Sequence, residues 1–324
     1  MNFLYCFDEN YNYQAFSSII SLLDVVNEKI AIYIIHNNQN LMENLPTKIK
    51  QHINLSEIKI YKFNEKNYFF PNIPKTHVSE ATYYRLFIHN YLPSNINQIV
   101  YLDADVICLK NPINFLKKEF KKLINTENLI SARTEINKKE IEKIYLNEWE
   151  MPWNRLEVDE KYFNAGVMLI NYKKWISRNY TDKFIDFLVK GKSKIIMWDQ
   201  DVMNSVINGN YNELSLNFNF KDEDLIKLNK TNNNKFEEII FYHYAGSGKP
   251  WKPNGAFRES AKFYHINYRK IQNQKYHIEH NNIINSFKNI INSIRNGSFS
   301  YLEYRFTYLF EFIKTILIKL VKSI

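Results

Sequence analysis

Residues 101–106 read YLDADV, and their two acids are the first candidates for chemistry. Apolar residues flank them, Ile99 to Leu102 before and Val106, Ile107 and Leu109 after, in the manner of two buried strands. Charge at the end of a buried strand is costly unless it is paired or holds a ligand. Side chains at i and i+2 of an extended segment point the same way, so Asp103 and Asp105 are expected to aim at one point with Ala104 turned aside. Two hard oxygens suit Mg²⁺ or Mn²⁺, ions that commonly complete their shell with substrate phosphates. By itself, a solvated loop carrying two acids would give the same pattern.

A second group lies far along the chain. His243 follows the apolar run EIIFY, and Lys249 comes six residues later in HYAGSGKPW. An imidazole can complete a metal site, and a lysine is a natural point charge for phosphate. Gly246 and Gly248 would let the backbone approach a diphosphate closely. Two chemistries use an acid pair after a strand. In haloacid-dehalogenase-type phosphatases the first Asp is a nucleophile and the second a general acid, and the motif continues with Gly where Val106 stands here. In glycosyltransferases that use nucleotide sugars, the pair holds a metal against the donor diphosphate.

These residues need elements to position them. Strand-like runs 2–7, 29–37 and 58–63 alternate with helical patterns at about 11–26, 41–52 and 78–90, leading into the strand before Asp103. This order predicts an α/β domain with a largely parallel sheet. In such sheets ligands bind beyond the carboxyl ends of the strands, where Asp8 and Asp103 both fall. Further on, 162–175 reads as a turn, a short strand and a helix start, 198–209 as a helix with an acidic first turn, and 238–251 as a strand entering a glycine loop.

Composition narrows the class. A chain of 324 residues, 45% hydrophobic and 24% charged, can bury a large core, and only seven glycines argue against low-complexity disorder. Cys6 and Cys108 lie in apolar runs, which predicts buried free thiols in a reducing compartment. Asp8 and Glu9 come too early for a signal peptide, and no apolar run is long enough to span a bilayer, so a cytoplasmic protein is expected. The net charge of +9 implies an anionic partner. No finger, ribbon or Gly-rich RNA motif supports nucleic acid, whereas a nucleotide diphosphate or an anionic membrane surface fits.

The ordered set FDENY (7–11), THVSEATYYRL (76–86), YLDADV (101–106), YFNAGVMLIN (162–171), WDQDVMN (198–204) and HYAGSGKPW (243–251) resembles glycosyltransferase family 8. Within it the chain is most similar to the bacterial lipopolysaccharide α-galactosyl/α-glucosyltransferase branch. The resemblance implies a GT-A-type nucleotide-sugar-binding fold with a mainly parallel mixed sheet. It also implies a UDP-galactose or UDP-glucose donor and a glycan or glycolipid acceptor. Carried onto this chain, Asp103, Asp105 and His243 match ligands of Mn²⁺, with Mg²⁺ as the alternative. Asp8, Asn10 and Tyr11 match the uridine pocket, Tyr11 stacking on uracil and Asp8 accepting from its imide N–H. Asp103 and Ala104 match contacts to the ribose region, and Gly246 and Lys249 contacts to the diphosphate. His77, Arg85, Asn164, Ala165 and Asp199 match positions around the donor sugar, and Gln200 the residue beneath its anomeric carbon. Each has a plainer reading: Tyr11 as a core aromatic, Arg85 paired with a helix acid such as Glu80, Asn164 as a turn former, and Asp199 as a helix N-terminal acid.

The family retains anomeric configuration, so an α-linked product is expected. Gln200 is a poor nucleophile, which favours attack by the acceptor hydroxyl on the face that the phosphate leaves. Asp199 or Asp201 as a nucleophile stays open. A metal-dependent phosphatase and an inactive membrane-associated scaffold of the same fold are the alternative readings. Intact Asp103, Asp105, His243 and Lys249 argue against the scaffold.

The chain divides on sequence into a catalytic domain, 1–265, and a basic helical C-terminal region, 266–324. Leu302, Phe306, Leu309, Phe310, Ile313, Leu317, Leu320 and Val321 fall on one helical face. From Lys288 onward, six basic residues stand against two acidic ones. This pattern predicts an interfacial helix resting on the inner face of the cytoplasmic membrane.

Overall fold

The computed structural model describes residues 1–38, 40–71, 79–141, 151–156, 158–227 and 236–322. Its centre is a seven-stranded mixed sheet. β1 (Asn2–Phe7), β2 (Ile30–His36), β3 (Leu55–Lys62) and β4 (Gln98–Leu102) are mutually parallel in the order β3-β2-β1-β4. The sheet continues through β7 (Lys161–Asn171), antiparallel to both β4 and β6 (Ile130–Asn137), and ends at the short β8 (Asn212–Glu213), parallel to β6. A second, two-stranded sheet pairs β5 (Val106–Cys108) with β9 (Phe241–His243).

Alternation along β1 explains the layering. Phe3, Tyr5 and Phe7 enter one core, and Leu4 and Cys6 enter the other. A strand covered on both faces reads as an unbroken apolar run, as 2–7 does. The first core is closed by helices α1 (Asn12–Val25) and α2 (Ile113–Ile124). The second is closed by the 3₁₀ run Glu80–Phe87 and by helices α3 (Tyr180–Lys190) and α4 (Trp198–Ile207).

Several local expectations need correction. The helix expected near 41–52 is two short turns, Leu41–Asn44 and Thr47–Lys50, divided at Pro46, whose ring cannot continue a helix. The helix expected at 78–90 is mostly 3₁₀, and residue 78 lies outside the described residues. Residues 162–171 belong to one strand of eleven residues rather than to a turn and a short strand. Register shifts between β6 and β7 let that strand carry the polar Asn-Ala-Gly in mid-sheet.

After Trp251 the chain turns helical, with α5 (Ala261–Ile271), α6 (Ile283–Arg295) and α7 (Arg305–Lys322). The expected division at residue 265 falls within α5. Ala256, Phe257, Tyr276, Ile290, Leu302, Tyr308 and Phe312 form a separate small core. The expected single face at the C-terminus is split. Leu302 is buried and Leu309 half-buried, while Phe306, Phe310, Ile313, Leu317 and Val321 are exposed. The side chain of Leu320 lies outside the described residues.

Candidate active site

A cleft opens beyond the carboxyl ends of β1 and β4, where the sheet order reverses across β1. Asp103 and Asp105 enter it from a tight turn, not from an extended strand. The turn joins β4 to β5, and the Val106 N–H donates to the Asp103 carbonyl over 3.2 Å. The turn is anchored by the Asp103 N–H on the Gly166 carbonyl (2.8 Å). Pairing of β5 with β9 sets Val106 opposite His243 and thereby carries the histidine to the acids. One ligand atom from each of Asp103, Asp105 and His243 can lie within 4.8 Å of the others. His243 Nε2 is 3.3 Å from Asp105 Oδ1 and 3.9 Å from Asp103 Oδ2.

Two carboxylates and an imidazole converging in this way suit a divalent ion. The packing supports that fit. A Cβ on Gly166 would stand 2.3 Å from His243 Cε1 and 3.0 Å from Asp103 Oδ2, so only glycine leaves room for the imidazole beside the aspartate. Lys249 donates to Asp105 Oδ2 and to the Tyr244 carbonyl (2.7 Å). Burial pushes the Asp105 carboxyl upward, but Lys249 and His243 outweigh it and hold it well below the usual carboxylate range.

The glycine loop has two separate reasons for its glycines. Gly246 adopts φ +76°, a left-handed conformation that L-residues rarely take. Gly248 lies under the Arg258 guanidinium, which a Cβ would approach to 2.4 Å. The space expected at Gly248 for a diphosphate is therefore taken by Arg258, which is held in turn by Asp222 over 2.5 Å.

Arg85 ties the acid turn to α4. It reaches Asp103 Oδ1 (3.1 Å), Asp199 Oδ2 (2.7 Å) and the Ala165 carbonyl (2.6 Å), over the ring of Tyr101. Its partners are thus site acids rather than Glu80. Asp199 also accepts from the Thr82 hydroxyl. Burial raises the Asp199 carboxyl to about 6 against the opposing pull of Arg85 and Thr82. Gln200 accepts from the Ala165 N–H (3.0 Å) and donates to Glu135 (3.2 Å).

The cleft brings together Tyr11, Arg85, Asp103, Ala104, Asp105, Asn164, Asp199, Gln200, His243, Gly246 and Lys249. Tyr11 stands edge-on to Trp251, with ring centroids 6.1 Å apart. Asp8 and Asn10 flank Phe7 and Tyr11 without lining the cleft, and Asp8 Oδ1 caps the Asn10 N–H (3.0 Å). Ala165 contributes its backbone groups from behind the wall. His77 lies outside the described residues.

Asp201 is not brought to the cleft. It is fully buried, bonded by Arg155 (2.8 Å from Nη2 to Oδ1), by the Tyr162 hydroxyl (2.6 Å) and by the N–H groups of Ile196 and Met197. With Oδ1 held by Arg155 and Tyr162 and Oδ2 by Arg155 and the backbone of Ile196 and Met197, it is placed as an anchor rather than as a nucleophile. Sequence reading missed Thr82, Glu135, Asn219 and Lys221. Thr82 stands inside the THVSEATYYRL stretch (76–86), a signal that could have found it, whereas Glu135, Asn219 and Lys221 stand in no such stretch and only their placement in space marks them. Glu135 accepts from Lys221 (2.6 Å) and Asn164 (3.0 Å). Burial raises its carboxyl, but Lys221 and the amides more than compensate and keep it ionised.

Residues 2–255 match glycosyl transferase family 8. A putative glycosyltransferase of Haemophilus influenzae is 30% identical over 258 residues, 78% of this chain and 73% of that protein. A lipopolysaccharide 1,2-glucosyltransferase of Escherichia coli is 26% identical, covering 75% of this chain and 71% of that protein. The crystal structure of the galactosyltransferase LgtC, in complex with donor and acceptor sugar analogues, superposes with a TM-score of 0.68 at 20% identity. That match covers 84% of this chain and 96% of LgtC, and it places the sheet and cleft in the GT-A fold. The chain belongs to glycosyltransferase family 8, whose members move a sugar from a nucleotide-sugar donor to a glycan acceptor.

Proposed function

We propose that the protein transfers galactose or glucose from a UDP-sugar to a sugar hydroxyl of a lipopolysaccharide, a lipooligosaccharide or a related surface glycan, forming an α-linkage with retention. The observation that carries this reading is the cleft itself. A divalent-ion cluster and Lys249 stand at one end, and Asp199 and Gln200 stand across Arg85 from it.

Asp103, Asp105 and His243 would hold Mn²⁺, or Mg²⁺ in its place, and the ion would serve as a Lewis acid on the leaving diphosphate. Lys249 adds fixed positive charge where negative charge develops. Tyr11 offers an aromatic face for the base. Arg85 and Asp199 offer a donor and an acceptor to sugar hydroxyls, and Asn164 a polar wall beside them. Gln200 lines the cleft beside Asp199, where its amide would stand next to a sugar that acquires oxocarbenium character. On the same-face route the anomeric bond to the phosphate oxygen breaks as the acceptor oxygen bonds to that carbon. The acceptor proton passes to the departing phosphate oxygen. The Thr82 hydroxyl donates to Asp199 Oδ1, and Arg85 Nε stands 2.7 Å from Oδ2, which accepts no hydrogen bond among the described residues and is left open to a sugar hydroxyl.

The test is Mn²⁺-dependent hydrolysis of a panel of UDP-sugars, followed by transfer to acceptor sugars. UDP-galactose or UDP-glucose is expected to turn over and EDTA to stop it. Turnover of phosphate monoesters but of no UDP-sugar would point to the phosphatase.

The C-terminal region from residue 266 is proposed to rest on the inner face of the cytoplasmic membrane. Phe306, Phe310, Ile313, Leu317 and Val321 recur every three or four residues on one side of α7, and Phe306 is 88% exposed. Ile284, Phe287 and Ile294 of α6 are exposed as well. Among the described residues no helix is long and apolar enough to cross a membrane. Such a stripe with basic neighbours suits an anionic lipid surface. Flotation with anionic vesicles tests it: protein left at the bottom of the gradient would reject membrane contact.

A further inference from the structure

Behind the cleft, side chains form one continuous run of hydrogen bonds from the metal cluster to Gln200. His243 Nδ1 lies 2.9 Å from Asn219 Oδ1. Asn219 Nδ2 donates to Asn164 Oδ1 over 2.9 Å. Asn164 Nδ2 donates to Glu135 Oε2 over 3.0 Å, and Gln200 Nε2 meets the same oxygen at 3.2 Å. Asn219 is fully buried, at the crossing between β9 and the chain that precedes Phe220.

The direction of every bond is determined. The Gly166 N–H can only donate, and it meets Asn164 Oδ1 at 3.0 Å, so the Asn164 amide cannot be reversed. Its oxygen therefore faces Asn219, which must present its NH₂ there and its own oxygen to His243. A carbonyl oxygen only accepts, so Nδ1 of His243 carries the hydrogen. Nε2 is left as the nitrogen facing Asp105 and Asp103. At the other end, the Ala165 N–H on Oε1 and the Glu135 carboxylate beside Nε2 hold the Gln200 amide one way round. Lys221 balances the Glu135 charge.

We propose that Asn219 and Glu135 are positioning residues of one relay, which sets both the His243 tautomer for metal ligation and the orientation of the Gln200 amide beneath the sugar. The Gln200 half rests on the function proposed above, and the His243 half does not. Ligating histidines take their orientation from the partner of the second ring nitrogen, and loss of such a partner typically costs roughly ten- to a hundredfold in metal affinity.

The unaltered protein tests the first half without any substitution. An imidazole ¹⁵N spectrum at a pH where the ring is neutral, with and without Mg²⁺ and UDP, should show His243 protonated at Nδ1. Protonation at Nε2 in both conditions would overturn the proposal. By electron paramagnetic resonance, Asn219→Ala should bind Mn²⁺ roughly ten- to a hundredfold more weakly. Asn219→Asp keeps an acceptor for the Nδ1 hydrogen and should recover most of that loss. An aspartate no better than alanine would reduce Asn219 to packing. Glu135→Gln should lower kcat of UDP-sugar hydrolysis about tenfold or more, with Mn²⁺ affinity close to that of the unaltered protein. An unchanged kcat would remove Glu135 from the relay. If the unaltered protein hydrolyses no UDP-sugar, the proposed function fails, while the spectrum and the Mn²⁺ titration still decide the His243 half.

Discussion

The cleft wall and the C-terminal helices break the usual rule of apolar inside and polar outside in opposite ways. At the cleft, Arg85, Asp105, Asp199, His243 and Lys249 are all buried, as is Asp201 behind it. At the C-terminus, Phe306, Phe310, Leu317 and Val321 are all more than half exposed. Buried charge persists only where partners satisfy it, and the cleft provides them almost atom by atom, as the four groups around Asp201 illustrate. Exposed apolar surface gives up about 25 cal/mol for each Å² left in water. A continuous stripe of it is normally kept for a partner that will cover it. One region thus invests in preorganisation, and the other leaves open the surface proposed above to rest on a membrane.

The sharpest way to break the comparison is to remove a charge that the cleft has organised. Asp103→Asn should leave the fold intact but lower metal-dependent turnover by about 10³-fold or more. Full activity of that variant in excess EDTA would dismantle the metal assignment.

Acid should drive the two regions apart. In the helical unit, burial lowers His265 to about 3, and His277 and His280 to about 4. Their folded pKa values lie below the unfolded value, so the unfolded chain binds more protons as pH falls from about 6.5 toward 4, and stability is lost over that window. For the fully buried His265 alone, the loss is on the order of 3 kcal/mol. Asp199 shifts the other way. Its folded pKa is above the unfolded value, so protonation between about 6 and 4 favours the folded cleft. Hydrogen exchange at pH 4.5 should show α5 to α7 opening well before β1, β4 and β7. Uniform opening would mean that the regions are not energetically distinct.

Gly166→Ala should displace the His243 ring, because the new Cβ would fall 2.3 Å from Cε1. A loss of roughly tenfold or more in Mn²⁺ affinity is expected, measured by titration of the protein without sugar. Affinity equal to that of the unaltered protein would show that the cluster tolerates a moved imidazole. The smallest effect is expected from Phe306→Ser, which should weaken anionic vesicle binding by about tenfold while UDP-sugar hydrolysis continues. A fall in hydrolysis with no change in vesicle binding would join the helical unit to catalysis instead.

Legibility in the sequence followed periodicity and local chemistry. The strands 2–7, 30–36 and 98–102 were readable because each is an apolar run ended by polar residues, and their order implied a parallel sheet. Local motifs also carried the family resemblance, since D-x-D, N-A-G and H-x-A-G-S-G-K keep their spacing within short stretches. The 3₁₀ run at 80–87 was not readable, because 3₁₀ and α patterns differ little over eight residues. Glu135 and Asn219 gave no signal at all. Each is a single polar residue in an irregular or edge position, and its meaning depends on partners as many as 86 residues away in the chain.

The amino-acid sequence by itself determined the class of ligand. Two carboxylates, an imidazole and an ammonium are the right groups for a divalent ion and a diphosphate wherever they meet. Tertiary structure decided which acids serve and which only support. Asp199 and Asp201 are two residues apart on one helix, yet one turns to Arg85 at the cleft and the other is locked by Arg155 behind it. Helical geometry separates neighbouring side chains by about 100° per residue, so adjacent acids face different surroundings. Those surroundings come from strands and loops distant in the chain, and only folding brings them together.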